Sequence, residues 1–226
     1  MIRYLTATVG AGRFAVVVTA DHGVCPLPER AVAAHPDAVR FAPDAELRPL
    51  AEALDEAFGK YEGGGDWVTR VDYPWVYLNR GLAARNGVPE ATLDAMAEYV
   101  ARWWVDNRDV GLAAFPAKQL AGPPLTDPVG RAAQLSYRPD RCGDVYLLHK
   151  PFALPSSPTG TGTTHGTPHG YDTHVTVMAV GMGVPAVGKR TERTSALVVA
   201  PLACRLLGVA PPADAAEKLP PEFDGK

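Results

Sequence analysis

Asp21-His22-Gly23 closes a short apolar run, Phe14-Ala15-Val16-Val17-Val18. A carboxylate beside an imidazole offers two metal ligands, provided both side chains reach the same point. Within a regular strand neighbouring side chains face opposite ways. The pair therefore converges only if the strand has already ended, with Gly23 free to turn the backbone sharply. A second stretch, TTHGTPHGYDTHVTVMAVGMG (163–183), holds three of the six histidines of the chain: His165, His169 and His174. The spacing of four between His165 and His169 would place both on one helical face, but Gly166, Pro168 and Gly170 exclude that helix. These imidazoles are presented from a loop, with Asp172 two residues before His174. Neutral imidazole and carboxylate are ligands that zinc takes in catalytic sites, where one position stays open for water or substrate. Together the two stretches imply a metal site in which remote loops meet at one rim of a sheet. The competing reading is a compositional accident or a surface tract that scavenges metal.

The elements that must position these groups follow from periodicity. Residues 14–18 are apolar at every position, the pattern of a parallel-sheet strand covered on both faces, and ligands bind outside the carboxyl ends of such strands. RYLTATVG before it reads as a helix. Residues 24–43 are broken by prolines and read as a loop, with His35 solvated. Residues 44–58 form a helix with Leu47, Leu50, Leu54 and Phe58 on one stripe. DWVTRV and PWVYLNR are short strands, and residues 89–105 are the strongest helix, with Leu93, Met96, Val100 and Trp103/Trp104 apolar. A strand (110–115) and a short helix follow. Asp144–Leu148 is a second buried strand returning to the main sheet, with His149-Lys150 at its end; either could face the site, and a structural or solvated role is the favoured reading. His174 opens a strand, HVTVMAVG. The last helix, 192–212, turns Leu197, Leu202, Leu206 and Leu207 inward, is kinked or split at Pro201 and stops at Gly208. These elements define an α/β chain: a core from 1–43 and 121–226, and an α+β, cap-like insertion over 44–120.

At 226 residues, with 46% hydrophobic and 21% charged residues and a net charge of −3, the chain has an ordinary globular composition. Nothing in it suggests a nucleic-acid surface or a membrane patch. Its three cysteines, Cys25, Cys142 and Cys204, are far apart and odd in number, fitting neither a disulfide framework nor a cysteine zinc cluster. The start lacks the features of a secretory signal, and no apolar run reaches the ~18 residues of a transmembrane helix.

TADHGVCPLPE, CGDVYLLHKPF, GTTHGTPHGYDTHVTVMAVG and SALVVAPLACRLLGVAPP follow one another in order over about residues 1–212. In this the chain resembles the C-terminal portion of the alkaline phosphatase superfamily, in the branch built on the nucleotide pyrophosphatase/phosphodiesterase core. The resemblance implies a central, mostly parallel sheet sandwiched by helices, two zinc ions (Zn2+), and a threonine or serine nucleophile acting on phosphate mono- or diesters. It assigns Asp21 and His22 to the zinc nearest the nucleophile. His165 is assigned to the second zinc, with His174 the second choice. Two cations a few Å apart would polarise the phosphoryl group and stabilise both attacking and leaving oxygens.

Several family features have no counterpart here. Residues 1–20 contain no Asp or Glu to match the family's first metal Asp, Thr6 and Thr8 lack the nucleophile's helical setting, and no histidine has an Asp four positions before it. The expectation is a C-terminal fragment of a two-zinc phosphatase or phosphodiesterase, with no catalytic nucleophile of its own. Alone it would be inactive and would hold one zinc, or zinc weakly. Its substrate in the complete enzyme would be a small phosphate ester, and the missing N-terminal half a possible partner. The alternative is a non-catalytic zinc-binding or interaction protein derived from the same fold. Complete family members are periplasmic or secreted; this chain carries no signal that places it.

Overall fold

The computed structural model describes every residue of the chain except 62, 158, 216 and 224–226. In chain order its elements are α1 (Ile2–Thr8), β1 (Ala15–Val18), α2 (Pro28–Ala31), β2 (Val39–Phe41), α3 (Leu47–Phe58), β3 (Val68–Asp72), β4 (Trp75–Leu78), α4 (Arg80–Arg85), α5 (Glu90–Asn107), β5 (Gly111–Pro116), α6 (Ala117–Leu120), α7 (Pro128–Ser136), β6 (Val145–His149), β7 (Ala153–Pro155), α8 (Gly170–Thr173), β8 (Met178–Gly181) and α9 (Val199–Leu207). They fall into two units, residues 24–172 and residues 1–23 with 173–226.

The larger unit is built on an antiparallel sheet in the order β3-β4-β6-β5. Strand β6 is buried along its whole length because β4 and β5 flank it and α5 packs against it. Helix α5 buries Leu93, Met96, Ala97, Val100 and Trp104, residues three, four, seven and eleven apart that share one helical stripe. Trp104 has no exposed surface and its indole N–H donates to the Leu148 carbonyl at 2.9 Å, so the large ring is both packed and satisfied. Helix α3 buries Leu50, Ala51 and Leu54. The buried Asp144 carboxylate accepts the Leu78 N–H at 2.7 Å and the Arg80 guanidinium at 2.8 Å, which ties β4 and α4 to the start of β6. A parallel pair, β2 with β7, completes this unit.

In the smaller unit β1 runs antiparallel to β8, with Ala15 opposite Gly181 and Val18 opposite Met178. Helix α9 packs on β1 and ends at Gly208 in the left-handed region (φ 68°). Gly181 is required at its position: it holds φ 116°, and a Cβ there would collide with the Phe14 carbonyl.

The α/β class holds, and the expected elements appear at 2–8, 47–58, 68–78, 90–107, 111–120 and 145–149. Strand sense differs from expectation: among the described residues one of the five pairings is parallel. An unbroken apolar run signals cover on both faces, and an inner antiparallel strand under a helix satisfies that as well as a parallel one does. Residues 145–149 accordingly join β4 and β5, not β1. Strand β1 is only half-buried, and Val18 is exposed. Residues 24–43 hold α2 and β2, and His35 stacks on Phe152 at 3.7 Å between ring centroids. Strand β8 begins at Met178, so His174 precedes it in a non-strand segment. Leu202 is buried, but Leu197 and Leu207 are 74% and 75% exposed. Because α9 starts at Val199, Pro201 sits in its first turn, where proline is tolerated, and does not split the helix.

Two substitutions separate these packing roles. Trp104→Ala should lower the unfolding free energy by about 3–5 kcal/mol. Leu207→Ala should change it by less than about 0.5 kcal/mol. Urea unfolding followed by circular dichroism measures both, and equal losses would contradict the burial described.

Candidate metal centre

Strand β1 ends at Val18, three residues before Asp21, so the alternation that would separate Asp21 from His22 no longer applies. Gly23 does not adopt a positive φ, and the chain bends at Asp21. The His22 backbone N–H donates to Asp21 Oδ1 at 3.1 Å, and His22 Nδ1 lies 2.7 Å from the Gly23 carbonyl. A carbonyl only accepts, so Nδ1 carries a ring proton. That Nε2 stands 3.5 Å from Asp21 Oδ2.

With that tautomer of the neutral ring, Nε2 and the carboxylate are both acceptors, and a cation or a proton would bridge them. Nitrogen and oxygen ligands of one tetrahedral zinc, at about 2.0–2.2 Å from the ion, stand about 3.3–3.5 Å apart. The observed separation fits. Anchoring the far ring nitrogen on a backbone carbonyl is also the usual way a ligating histidine is oriented. The Asp21 side chain is 88% exposed and that of His22 35%, so the corner opens outward. Among the described residues no three His, Cys, Asp or Glu side chains gather closely enough to hold a metal. Asp21 and His22 therefore make a partial site.

His165 belongs to the larger unit and His174 to the smaller one; both are exposed. The Thr-His-Gly loop is pinned from one side: Cys25 N–H donates to the Thr164 carbonyl at 3.0 Å, and the Thr163 hydroxyl donates to the Cys25 carbonyl. Gly166, with φ 110°, makes the turn after His165. His169 points elsewhere: its Nε2 donates to the His149 carbonyl at 2.9 Å, a structural role.

Two polar residues beside this loop are not among the ligands assigned from the sequence. His149 is 1% exposed and Asp172 3%, and both line a cavity of about 200 Å3 together with His165. Burial among Phe41 and Tyr73 pushes the His149 imidazole down to about 4, so it is neutral near pH 7. The Tyr73 phenol is held well above its ordinary value by the same desolvation. In the sequence His149 is only the end of an apolar strand, and nothing local announces that residues remote from it will enclose its ring.

No family model matches the chain. In sequence it is similar to a calcium-transporting ATPase of Myroides odoratus, 27% identical over 92% of this chain and 36% of that protein. It is also similar to alkaline phosphatase PhoK of a Sphingomonas species, 30% identical over 73% of this chain and 30% of the relative. A third relative is alkaline phosphatase PhoD of Zymomonas mobilis, 28% identical over 73% of this chain and 29% of its own length. In structure it matches wild-type alkaline phosphatase PafA with a TM-score of 0.78 and 23% identity, over 96% of this chain and 39% of PafA. A PafA mutant gives the same TM-score at 24% identity, over 98% and 40%. The chain thus spans 29–36% of the length of these curated relatives.

The buried His149 has a consequence for stability. An unfolded chain takes up the proton that folded His149 refuses, so stability is full above pH 6.5 and falls as pH drops toward 4. The loss from this group is about 3 kcal/mol. All four tryptophans lie in the larger unit, so their fluorescence reports its unfolding. His149→Gln should show a shallower fall of unfolding free energy between pH 6.5 and 4; identical slopes in both proteins would contradict the burial of a neutral ring.

Proposed function

The chain belongs to the alkaline phosphatase superfamily and has its α/β fold, and from that premise we propose that it supplies the metal-ligand corner of a two-zinc phosphoric ester hydrolase of the phosphatase/phosphodiesterase type. What supports this most directly is the Asp21–His22 pair, with its 3.5 Å separation of two acceptor atoms and its anchored ring. Asp21 and His22 would hold one zinc, and His165, with His174 the alternative, would ligate the second. Bound zinc would supply Lewis acidity to the phosphoryl oxygens and a low-pKa water or hydroxyl.

The chain's own residues contribute orientation. The Gly23 carbonyl fixes the His22 tautomer, Asp21 supplies negative charge at an exposed corner, and Cys25 steadies the loop that carries His165. Phosphatase and ATPase, the activities in the relatives' names, both transfer a phosphoryl group to water. The nucleophile and the remaining ligands come from a segment outside these 226 residues, so the chain by itself does not turn over substrate. That segment covers the exposed face of the smaller unit. By register Val16, Val18, Met178 and Val180 share this face, and Val18, Met178 and Val180 are 43%, 56% and 62% exposed, an apolar patch that water alone covers poorly. A second reading, a non-catalytic zinc-binding or interaction protein, is favoured by the absence of a three-ligand cluster among the described residues. It differs in requiring that the chain be monodisperse and cooperatively folded with about one zinc.

Calorimetric zinc titration of the 226-residue chain should show binding that weakens at least about tenfold in Asp21→Ala and in His22→Ala. Unchanged affinity in both variants would remove the ligand assignment. Separately, the chain should not hydrolyse p-nitrophenyl phosphate; robust hydrolysis, abolished by chelator and by Asp21→Ala, would show that it needs no other segment.

A further inference from the structure

The stretch that leads into His165, SSPTGTGTTHG over residues 156–166, contains no Val, Leu, Ile, Met or aromatic residue. It therefore has no large apolar side chain to bury, and hydrophobic packing cannot order it. Gly162 and Gly166 hold φ of 80° and 110°, in a backbone free to adopt many other conformations. A segment of this kind keeps one arrangement only where hydrogen bonds hold it. Two of those bonds come from one side chain. Arg40, in β2, is 5% exposed along its side chain. Its Nη1 donates to the Ser156 hydroxyl at 3.0 Å and its Nη2 to the Gly162 carbonyl at 2.9 Å. One guanidinium thus grips the segment at two points six residues apart.

The grip is itself anchored, and all of it lies within the larger unit. Arg40 Nε donates to Glu29 Oε1, and Nη2 to Glu29 Oε2 at 3.2 Å, a bidentate pair that fixes the plane of the fork. Arg40 stands opposite Leu154 across β2 and β7, and the Ser156 N–H donates to the Phe41 carbonyl at 2.8 Å. The strand pair therefore carries both the arginine and the near end of the segment. Beyond Gly162 the chain passes through Thr163 and Thr164, which are tied to the Cys25 backbone, and reaches His165. An apolar residue at position 40 would avoid the cost of burying a guanidinium. What the planar fork alone supplies is donors to Glu29, Ser156 and Gly162 at the same time.

We propose that Arg40 is the positioning residue of the His165 loop: it locks residues 156–164 in the arrangement that presents His165 and keeps Cys25 shut from solvent. It acts through the loop and is not itself a ligand. Its role toward a metal rests on the reading of His165 as a ligand; the ordering of the loop does not. A loop ordered in advance spares an incoming ion the cost of fixing it.

The test alkylates the metal-free 226-residue chain with iodoacetamide and reads each cysteine by mass spectrometry. Cys25 is buried and Cys142 partly exposed; both belong to the larger unit, so Cys142 is the internal reference. Arg40→Lys keeps the charge but not the fork. It should label Cys25 at least about tenfold faster and leave the Cys142 rate unchanged. The faster rate should depend little on urea, because a local opening exposes little surface. A Cys25 rate that climbs steeply with urea would mean that the substitution merely unfolds the unit, and it overturns the proposal, as does an unchanged rate. Ser156→Ala removes one contact and leaves the ion pair intact, which keeps the test decisive if Arg40→Lys does not fold. It should speed Cys25 labelling at least about threefold, and no change there also counts against the clasp. Zinc titration followed by imidazole NMR of His165 is a separate arm: no shift in the parent chain overturns the ligand reading and leaves the clasp to stand or fall on the Cys25 rates.

Discussion

The His22 ring is useful to a metal only while its Nδ1 proton stays on the Gly23 carbonyl, 2.7 Å away. That contact sets which nitrogen carries the proton and which way the ring faces. In the neutral ring it makes Nε2 an acceptor 3.5 Å from the neighbouring carboxylate, not a donor to it. Were the other tautomer in place, Nε2–H would donate to Asp21 and the pair would be a closed, self-satisfied contact. The end of β1 at Val18 and the Asp21 contact to the His22 N–H are what bring the ring into this position.

The same logic recurs at His149, where the Lys150 carbonyl takes the Nδ1 proton and leaves Nε2 as an acceptor. The settings differ in exposure. His22 sits at an open corner where an ion can be reached from solvent. His149 is enclosed by Phe41, Tyr73 and the end of the antiparallel sheet, which keeps it neutral and makes its empty acceptor expensive. The sheet is what permits this: β6 is covered by α5 and flanked by β4 and β5, so the residue at its end is enclosed as well. Asp144 at the other end of β6 is fully satisfied by Leu78 and Arg80. The unsatisfied end is therefore the one beside the cavity.

Much of this was legible in the sequence. Helices α3 and α5 and strands β3, β4 and β6 follow from apolar spacing, because each buries a regular stripe or a continuous run. The convergence of Asp21 and His22 followed from the argument that the strand must end before them. What sequence spacing did not carry was the identity of strand partners: covered faces look alike in parallel and inner antiparallel strands. Leu197 and Leu207 misled for a related reason, since an apolar side chain on a helix reports a buried face only if something in the same chain packs there. His149 and Asp172 stayed hidden as a pair because their burial is a tertiary outcome: His149 packs on Phe41 and Tyr73, both remote from it along the chain. The Thr167–Asp172 contact, five residues apart, is a local feature that sequence spacing can reach.

The central claim concerns one carboxylate and one imidazole on one ion. Zinc-edge X-ray absorption on the zinc-loaded chain tests it directly, because the spectrum separates imidazole from carboxylate ligands by their scattering. The account predicts a shell of mixed nitrogen and oxygen ligands at about 2.0–2.2 Å, with one imidazole contribution that disappears in His22→Ala. A spectrum dominated by several imidazoles and unchanged in that variant would place the ion among other histidines and contradict it.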